Sequence, residues 1–180
     1  MDYQASVKLK NGADCLLRSA GEEDAEAVLE LFVRTHAETD YLASYEEESH
    51  MEPEAERRFL AGQKSSPNAI ELFALVDGIP VGLAGIGPIG KHKRQHRASF
   101  GISVIRDRWG LGIGRALTEA CIACAREAGY VQLELEAVAE NESALGLYRS
   151  VGFVEYGRNP KGFCSRLSGW QELVLMRLEL

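Results

Sequence analysis

Three glycines at alternate positions stand directly before a helical pattern, in the stretch RWGLGIGRALTEA that begins at residue 108. Glycine at such a place loses conformational entropy on folding and offers no side chain to a core. Gly110, Gly112 and Gly114 therefore indicate that bare backbone is needed at this point. A strand, a glycine-rich turn and a helix, in that order, leave the first N–H groups of the helix free to bind an anion such as phosphate.

Along the rest of the chain, hydrophobic periodicity switches between helical spacing and the alternation of strands. From Asp14 onward the predicted order is β-α-α-β-β-β-α-β-α-β-β. This order predicts one α/β domain over residues 1–180, with a core of about 14–180 and helices that flank a mixed sheet. One strand–helix–strand crossover is centred on the glycines. Pro80 and the glycines after it predict an edge or a bend in the second strand of a hairpin.

Two known phosphate-binding patterns fit the glycines poorly. A P-loop requires Lys and Ser or Thr after its last glycine, whereas Arg115 and Ala116 follow Gly114. A dinucleotide fingerprint, G-x-G-x-x-G, has its last glycine one residue later than Gly114. Too little sequence follows to build a doubly wound sheet, so an enzyme of nicotinamide nucleotides stays a weaker alternative.

Charge is distributed unevenly in this chain, whose net charge is -7. Residues 1–62 hold 6 Lys/Arg and 15 Asp/Glu, a net of -9, whereas residues 63–180 hold 14 and 12, a net of +2. The acidic first third argues against nucleic acid as a partner and is compatible with a cationic small molecule. The alternative is a solvated acidic face.

No apolar run approaches the roughly 20 residues of a membrane span, and the N-terminus lacks the pattern of a signal peptide. We therefore expect no membrane partner and a cytoplasmic protein. Cys121 and Cys124 form a C-x-x-C without a second pair. We expect them to be small core residues, and no metal site is predicted.

Two motifs resemble those of the GCN5-related N-acetyltransferase (GNAT) family, bacterial members of the small-molecule or protein type above all. VIRDRWGLGIG, residues 104–114, is similar to V-x-x-x-x-[RQ]-G-x-G-[IA]-G except that Trp109 stands at the Arg/Gln position. NESALGLYRSVGF, residues 141–153, is similar to N-x-x-A-x-x-L-Y-x-x-x-G-F and begins 27 residues after Gly114. The resemblance covers essentially the whole chain and implies a GNAT-like acyl-CoA N-acyltransferase fold.

The resemblance implies an acetyl-CoA-dependent N-acetyltransferase, with the pyrophosphate on the glycine turn (residues 109–114) and the pantetheine arm between two splayed strands. Arg106, Arg108 and Arg149 lie near these motifs and are candidates to meet the outer phosphate. The cofactor-binding residues expected from the resemblance are Ile102, Ser103, Val104, Trp109, Gly110, Leu111, Gly112, Ile113, Gly114, Arg115, Asn141, Ala144 and Tyr148.

For catalysis, the resemblance implies that Tyr148 protonates the leaving thiolate. An alkylamine is mostly protonated at pH 7 and needs a base. Glu134 is the residue we expect in that role, while Glu136, Glu71, His96 and solvent remain alternatives. The acceptor is expected to be a primary amine on a small molecule or peptide, and the 13 acidic residues between positions 22 and 56 suggest a cationic one.

Two further possibilities follow from the resemblance. The same fold could serve as a non-catalytic acyl-CoA-binding or sensing domain, which would not need to keep Tyr148. A homodimer is also expected, paired through the apolar last strand.

Overall fold

The computed structural model describes residues 1–48 and 52–180. Within these residues, eight strands form a single sheet that is flanked by four α-helices. The strands are β1 (Gln4–Lys8), β2 (Asp14–Ser19), β3 (Ile70–Val76), β4 (Ile79–Pro88), β5 (Arg97–Val104), β6 (Gln132–Val138), β7 (Val154–Ser165) and β8 (Gly169–Glu179). The helices are α1 (Ala25–Ala37), α2 (Pro53–Ser65), α3 (Ile113–Glu127) and α4 (Glu142–Ser150).

The sheet has the strand order β1-β2-β3-β4-β5-β6-β8-β7, and all neighbours are antiparallel except β5 and β6. The expected α/β class with a mixed sheet is confirmed. The predicted order of elements lacked one strand, β1, which pairs with β2 from Gln4–Arg18 to Lys8–Asp14. No residue of β1 is buried, since it is an edge strand that contacts the core only partly. Its sequence therefore carries little hydrophobic signal.

The second strand of the predicted hairpin, β4, lies inside the sheet rather than at its edge. Pro80 is tolerated because the pairing of β4 with β5 begins only at Gly82. On the other side, the register with β3 shifts between Ala74 and Leu75, opposite Pro80 and Gly82. The predicted bend is thus present as a bulge, and the predicted edge is wrong.

Along the chain, the glycine turn and α3 connect two parallel strands, β5 and β6, as the predicted crossover required. β5 and β6 pair only from Arg97–Gln132 to Ser99–Glu134. Beyond this point β5 continues along β4, while β6 continues along β8. A gap therefore opens between residues 100–104 of β5 and residues 135–138 of β6, and the expected splay is present.

Helices cover both faces of the sheet. Gly82 of β4 faces α3, since a Cβ added there would lie 3.2 Å from Leu117. Gly85, an odd number of residues further on, faces the opposite side. There the carboxyl of Glu71 fills the space beside it. Glu56 of α2 lies near Glu71, so α2 and the helix packed on it, α1, cover this second face.

Cys121 and Cys124 lie on α3 and are 0% and 2% exposed, so the expectation that they are core residues is confirmed. The sequence of residues 41–51, YLASYEEESHM, predicts a loop or a broken helix. Its described part is a loop that ends in one helical turn, Glu46–Glu48, and residues 49–51 lie outside the described residues.

In the described part of the chain, no helix is long and apolar enough to span a membrane.

Glu71 and Glu56 place two carboxyl groups in the interface between α2 and the sheet. Burial and the neighbouring Glu56 raise the pKa of Glu71 to about 7, and burial raises the pKa of Glu56. Folding therefore favours the protonated form of Glu71.

The contribution of Glu71 to the free energy of unfolding should decrease as the pH rises from about 4.5 to about 7, because the folded chain holds a proton on Glu71 that the unfolded chain releases. The decrease amounts to at most about 3 kcal/mol, and stability is fully present below the unfolded pKa. A Glu71→Gln variant should lose most of this dependence, measured by urea unfolding at pH 5 and pH 8. Glu140→Gln, an exposed control, should keep it. An unchanged pH dependence in Glu71→Gln would contradict the assignment.

Candidate functional site

A cavity of about 440 Å³ lies along the end of β5 next to the gap. Its walls come from β5, the glycine turn, the start of α3, α4, and the end of α1 with the loop after it. The cavity contains residues from both sequence motifs, which therefore meet in space.

The glycine turn ends at the N-terminus of α3. Gly110 and Gly112 have φ of 76° and 99°, a left-handed conformation that side chains disfavour. Gly112 is the residue that caps α3. The next N–H groups belong to the first turn of the helix and have no partner within it. Together with the helix dipole, they form a site suited to a phosphate group.

Trp109, which departs from the family pattern, connects the glycine turn to the end of β5. Its Nε1 donates a hydrogen bond of 2.6 Å to the carbonyl oxygen of Val104. The guanidinium of Arg106 lies over the indole ring, 5.6 Å from its centroid. Trp109 therefore fixes the turn relative to the strand with contacts made by its side chain.

A second connection comes from the N-terminal hairpin that the sequence pattern did not predict. The N–H of Lys10, between β1 and β2, donates to the carbonyl oxygen of Leu111 at 3.0 Å. Lys10 also lines the cavity, as do Arg108 and Arg115. Among the described residues that line it, none is Asp or Glu. The walls are thus positively charged and suit a polyanion.

Tyr148 projects from α4 into the same cavity. Asn141 caps this helix by accepting a hydrogen bond from the N–H of Ala144 at 3.2 Å, as its position predicted. The Tyr148 ring packs edge-on against Phe100, with centroids 6.2 Å apart, and against Phe153 at 5.9 Å. Burial raises the pKa of Tyr148 to about 12, so its hydroxyl remains a neutral donor. Within residues 1–48 and 52–180, this hydroxyl makes no hydrogen bond, and Tyr148 lines the cavity.

The cavity brings together every predicted cofactor-binding residue except Leu111 and Ile113. Leu111 contributes its carbonyl oxygen to Lys10, and Ile113 is 1% exposed in the core. Of the three arginines proposed for the outer phosphate, only Arg108 lines the cavity. Arg149 lies 3.9 Å from Glu155.

The predicted base candidates do not line the cavity. Glu134 forms a bidentate ion pair with Arg97, in which Nη2 and Oε2 lie 2.6 Å apart. Glu136 lies on the same face of β6, is exposed, and has no ion-pair or hydrogen-bond partner for its carboxylate among the described residues. Glu71 lies under α2, and the side chain of His96 is exposed before β5.

Several lining residues had no signal in the motifs. Those on α4 could have been inferred from the helical spacing of the second motif. Those from the end of α1 and its loop depend on how that loop packs, which the sequence does not specify. The lining residues without such a signal are Lys10, Thr35, Thr39, Tyr41, Leu42, Ser143, Gly146 and Ser150.

The sequence profile described as "Acetyltransferase (GNAT) family" matches residues 26–153, more than half of the chain. N-alpha-acetyltransferase RimI of Mycobacterium tuberculosis is 35% identical over 113 residues, which are 63% of this chain and 68% of that protein.

Solved structures share this fold. The acetyltransferase of GNAT family from Streptococcus pneumoniae superposes with a TM-score of 0.89 at 27% identity, covering 92% of this chain and 99% of that chain. The structure of yncA from Salmonella typhimurium with its cofactor acetyl-CoA superposes with a TM-score of 0.81 at 19% identity, covering 92% and 94%. The second likeness is one of fold.

Proposed function

The chain belongs to the acetyltransferase (GNAT) family, and from this premise we propose that it transfers the acetyl group of acetyl-CoA to a primary amine. The transfer is a direct attack in a ternary complex. The observation that carries the proposal is a single cavity that joins a phosphate-binding helix N-terminus to the hydroxyl of Tyr148. The acetyl-CoA bound to yncA, a structure of the same fold, supports the choice of donor.

Donor binding is assigned to the glycine turn and its basic surroundings. The N–H groups at the start of α3 hold the pyrophosphate, and Lys10, Arg108 and Arg115 supply positive charge. The pantetheine arm extends along Ile102–Val104, where one edge of β5 faces the gap and lacks a neighbouring strand. It binds there in the manner of an added strand.

In the reaction, the neutral amine attacks the thioester carbonyl carbon and forms a C–N bond. The tetrahedral oxyanion then collapses, the C–S bond breaks, and the sulfur leaves as thiolate. Tyr148 faces this sulfur. A thiol has a pKa near 8.5, about 3.5 units below that of Tyr148, and full proton transfer to sulfur would cost about 5 kcal/mol. Tyr148 therefore stabilises the thiolate as a hydrogen-bond donor, and the proton that completes CoA comes from the amine or solvent.

For deprotonation of the amine, Glu136 suits the task better than Glu134. Arg97 occupies both carboxylate oxygens of Glu134. Glu136 lies two residues further along β6, where the strand has separated from β5, and its exposed carboxylate is free to act through water. This base is part of the proposal.

Cytoplasmic location and a homodimer are also part of the proposal. The dimer contact cannot use the last strand by edge pairing, because β8 is paired with β6 on one side and β7 on the other. A dimer formed by pairing of strands would use β1 or β7.

Calorimetric titration with acetyl-CoA, CoA and NAD is the first test. Acetyl-CoA and CoA should bind and NAD should not. Release of free thiol from acetyl-CoA is then followed with a panel of primary amines, and the acetylated product is identified by mass spectrometry. Absence of CoA binding to the folded chain would overturn the proposal. Binding with no turnover on any amine would favour the non-catalytic acyl-CoA-binding domain instead.

A further inference from the structure

A second cavity, of about 200 Å³, lies between the loop after α1 and the hairpin of β7 and β8. Leu42 lines both this cavity and the larger one, so the two are adjacent. Asp40, Ser165 and Gln171 line it with polar groups, and Tyr45 and Phe163 with aromatic rings. None of the described residues that line it is basic.

The carboxylate of Asp40 is the charged group of this cavity. It accepts hydrogen bonds from Ser165 Oγ at 2.6 Å, Ser168 Oγ at 2.7 Å and Gln171 Nε2 at 3.3 Å. These donors are all neutral. In the part of the chain that the structure describes, no Lys, Arg or His pairs with Asp40, so no cation among these residues compensates its negative charge.

Gln171 contributes an acceptor that lacks a donor. It is 4% exposed, and its Nε2 donates to the backbone oxygen of Asp40 at 3.0 Å as well as to the carboxylate. Both partners of Nε2 are acceptors, so the orientation of the amide is determined. Its Oε1 is buried and has no hydrogen-bond partner among the described residues. A buried acceptor of this kind requires a donor from a ligand or from water.

The rim of the cavity is held by a separate set of contacts. Arg166 lies over the Tyr45 ring, 3.6 Å from its centroid, and pairs with Glu47 at 2.6 Å. The N–H of Arg166 donates to the Tyr45 hydroxyl at 2.8 Å. The loop is thereby fixed on the hairpin, and the guanidinium of Arg166 is already engaged by Glu47.

We propose that this cavity binds the second, non-reacting ammonium group of a diamine or polyamine acceptor, through Asp40 and Gln171 Oε1. The inference rests on the proposed function, from which it takes that the reacting group of the acceptor is a primary amine. An ammonium group carries three donors and a positive charge, which match one uncompensated carboxylate and one unpartnered amide oxygen. The reacting amine at the other end of the acceptor would then reach the larger cavity past Leu42.

The test compares unbranched diamines of three to six methylene groups with the monoamines in which a methyl group replaces the second ammonium. The best diamine should exceed its matched monoamine in kcat/KM by roughly tenfold or more, as for a charge-assisted hydrogen bond. In Asp40→Asn, this advantage should be lost while turnover of the monoamine changes less than about twofold. Ser168→Ala, which removes one donor but keeps the charge, controls for loosening of the loop and should keep the preference for the diamine.

Direct binding separates failure of this inference from failure of the proposed function. The diamines and monoamines are titrated calorimetrically into the native chain and into Asp40→Asn, each with CoA bound, or into the free chain if CoA does not bind. Tighter binding of a diamine that depends on Asp40 supports the site even if no amine is acetylated. Equal binding of diamines and monoamines, or a diamine preference that survives in Asp40→Asn, overturns it, whether or not the chain acetylates simple amines.

Discussion

A Tyr148→Phe variant should bind acetyl-CoA as tightly as the native chain and turn it over about a hundredfold more slowly, the usual size of one lost hydrogen-bond donor to the charge that develops in the transition state. The ring that packs against Phe100 and Phe153 is retained, so the cavity keeps its shape. Only the hydroxyl that faces the departing thiolate is removed. Calorimetry gives the affinity, and the rate of thiol release at saturating acetyl-CoA and amine gives kcat.

Tyr130→Phe is a matched control. Tyr130 is 5% exposed, and its hydroxyl donates to the backbone oxygen of Asn68 at 2.7 Å, away from the cavity. This change should lower the free energy of unfolding by about 1 kcal/mol and leave kcat unchanged. If Tyr148→Phe kept native turnover, Tyr148 would be a packing residue and the proposed departure of the thiolate would need another donor.

Replacing Gly112 with Asp should weaken binding of acetyl-CoA by about a hundredfold or more, because a carboxylate would enter a site built for phosphate. Two like charges about 4 Å apart near a protein surface repel by about 4 kcal/mol. The nearest atom to an added Cβ is Lys10 Cγ at 4.0 Å, so the Cβ itself meets no clash. The positive φ adds strain of about 1–2 kcal/mol, which lowers stability rather than affinity.

Gly129→Asp provides the comparison at the other end of α3. Gly129 also has a positive φ, 78°, and nothing lies within 4 Å of its added Cβ. This variant carries the same charge and similar backbone strain but should bind acetyl-CoA as the native chain does. Affinity and unfolding are measured for both variants. Equal affinities would mean that the pyrophosphate does not lie at the start of α3.

Much of the cavity could be predicted because its chemistry depends on short contiguous segments. The glycine turn requires positive φ at Gly110 and Gly112. That glycine occupies both positions can be read directly from the sequence of the segment. The capping of α4 by Asn141 and the position of Tyr148 follow in the same way from local spacing. The crossover between β5 and β6 followed from the order of elements.

Other features depend on contacts between distant segments, which local patterns do not reveal. The β1 strand was missed because it lies at the edge of the sheet, where no residue needs to be buried. Glu134 was correctly placed on a strand, but its pairing with Arg97 depends on the register between parallel strands. The contact of Asp40 with Gln171 joins residues 131 positions apart.

The hydrogen bond from Lys10 to Leu111 has a consequence for transplanting the cofactor site between proteins. The motif of the glycine turn is contiguous, which suggests that a segment of about a dozen residues could be transferred by itself. Yet the turn is held by the N-terminal hairpin through Lys10, and by the hydrogen bond from the Trp109 indole to Val104 at the end of β5. A graft of residues 104–114 into another scaffold would keep the hydrogen bond from Trp109 to Val104 and lose the one from Lys10 to Leu111. The site can therefore be transferred only together with the sheet that supplies both contacts.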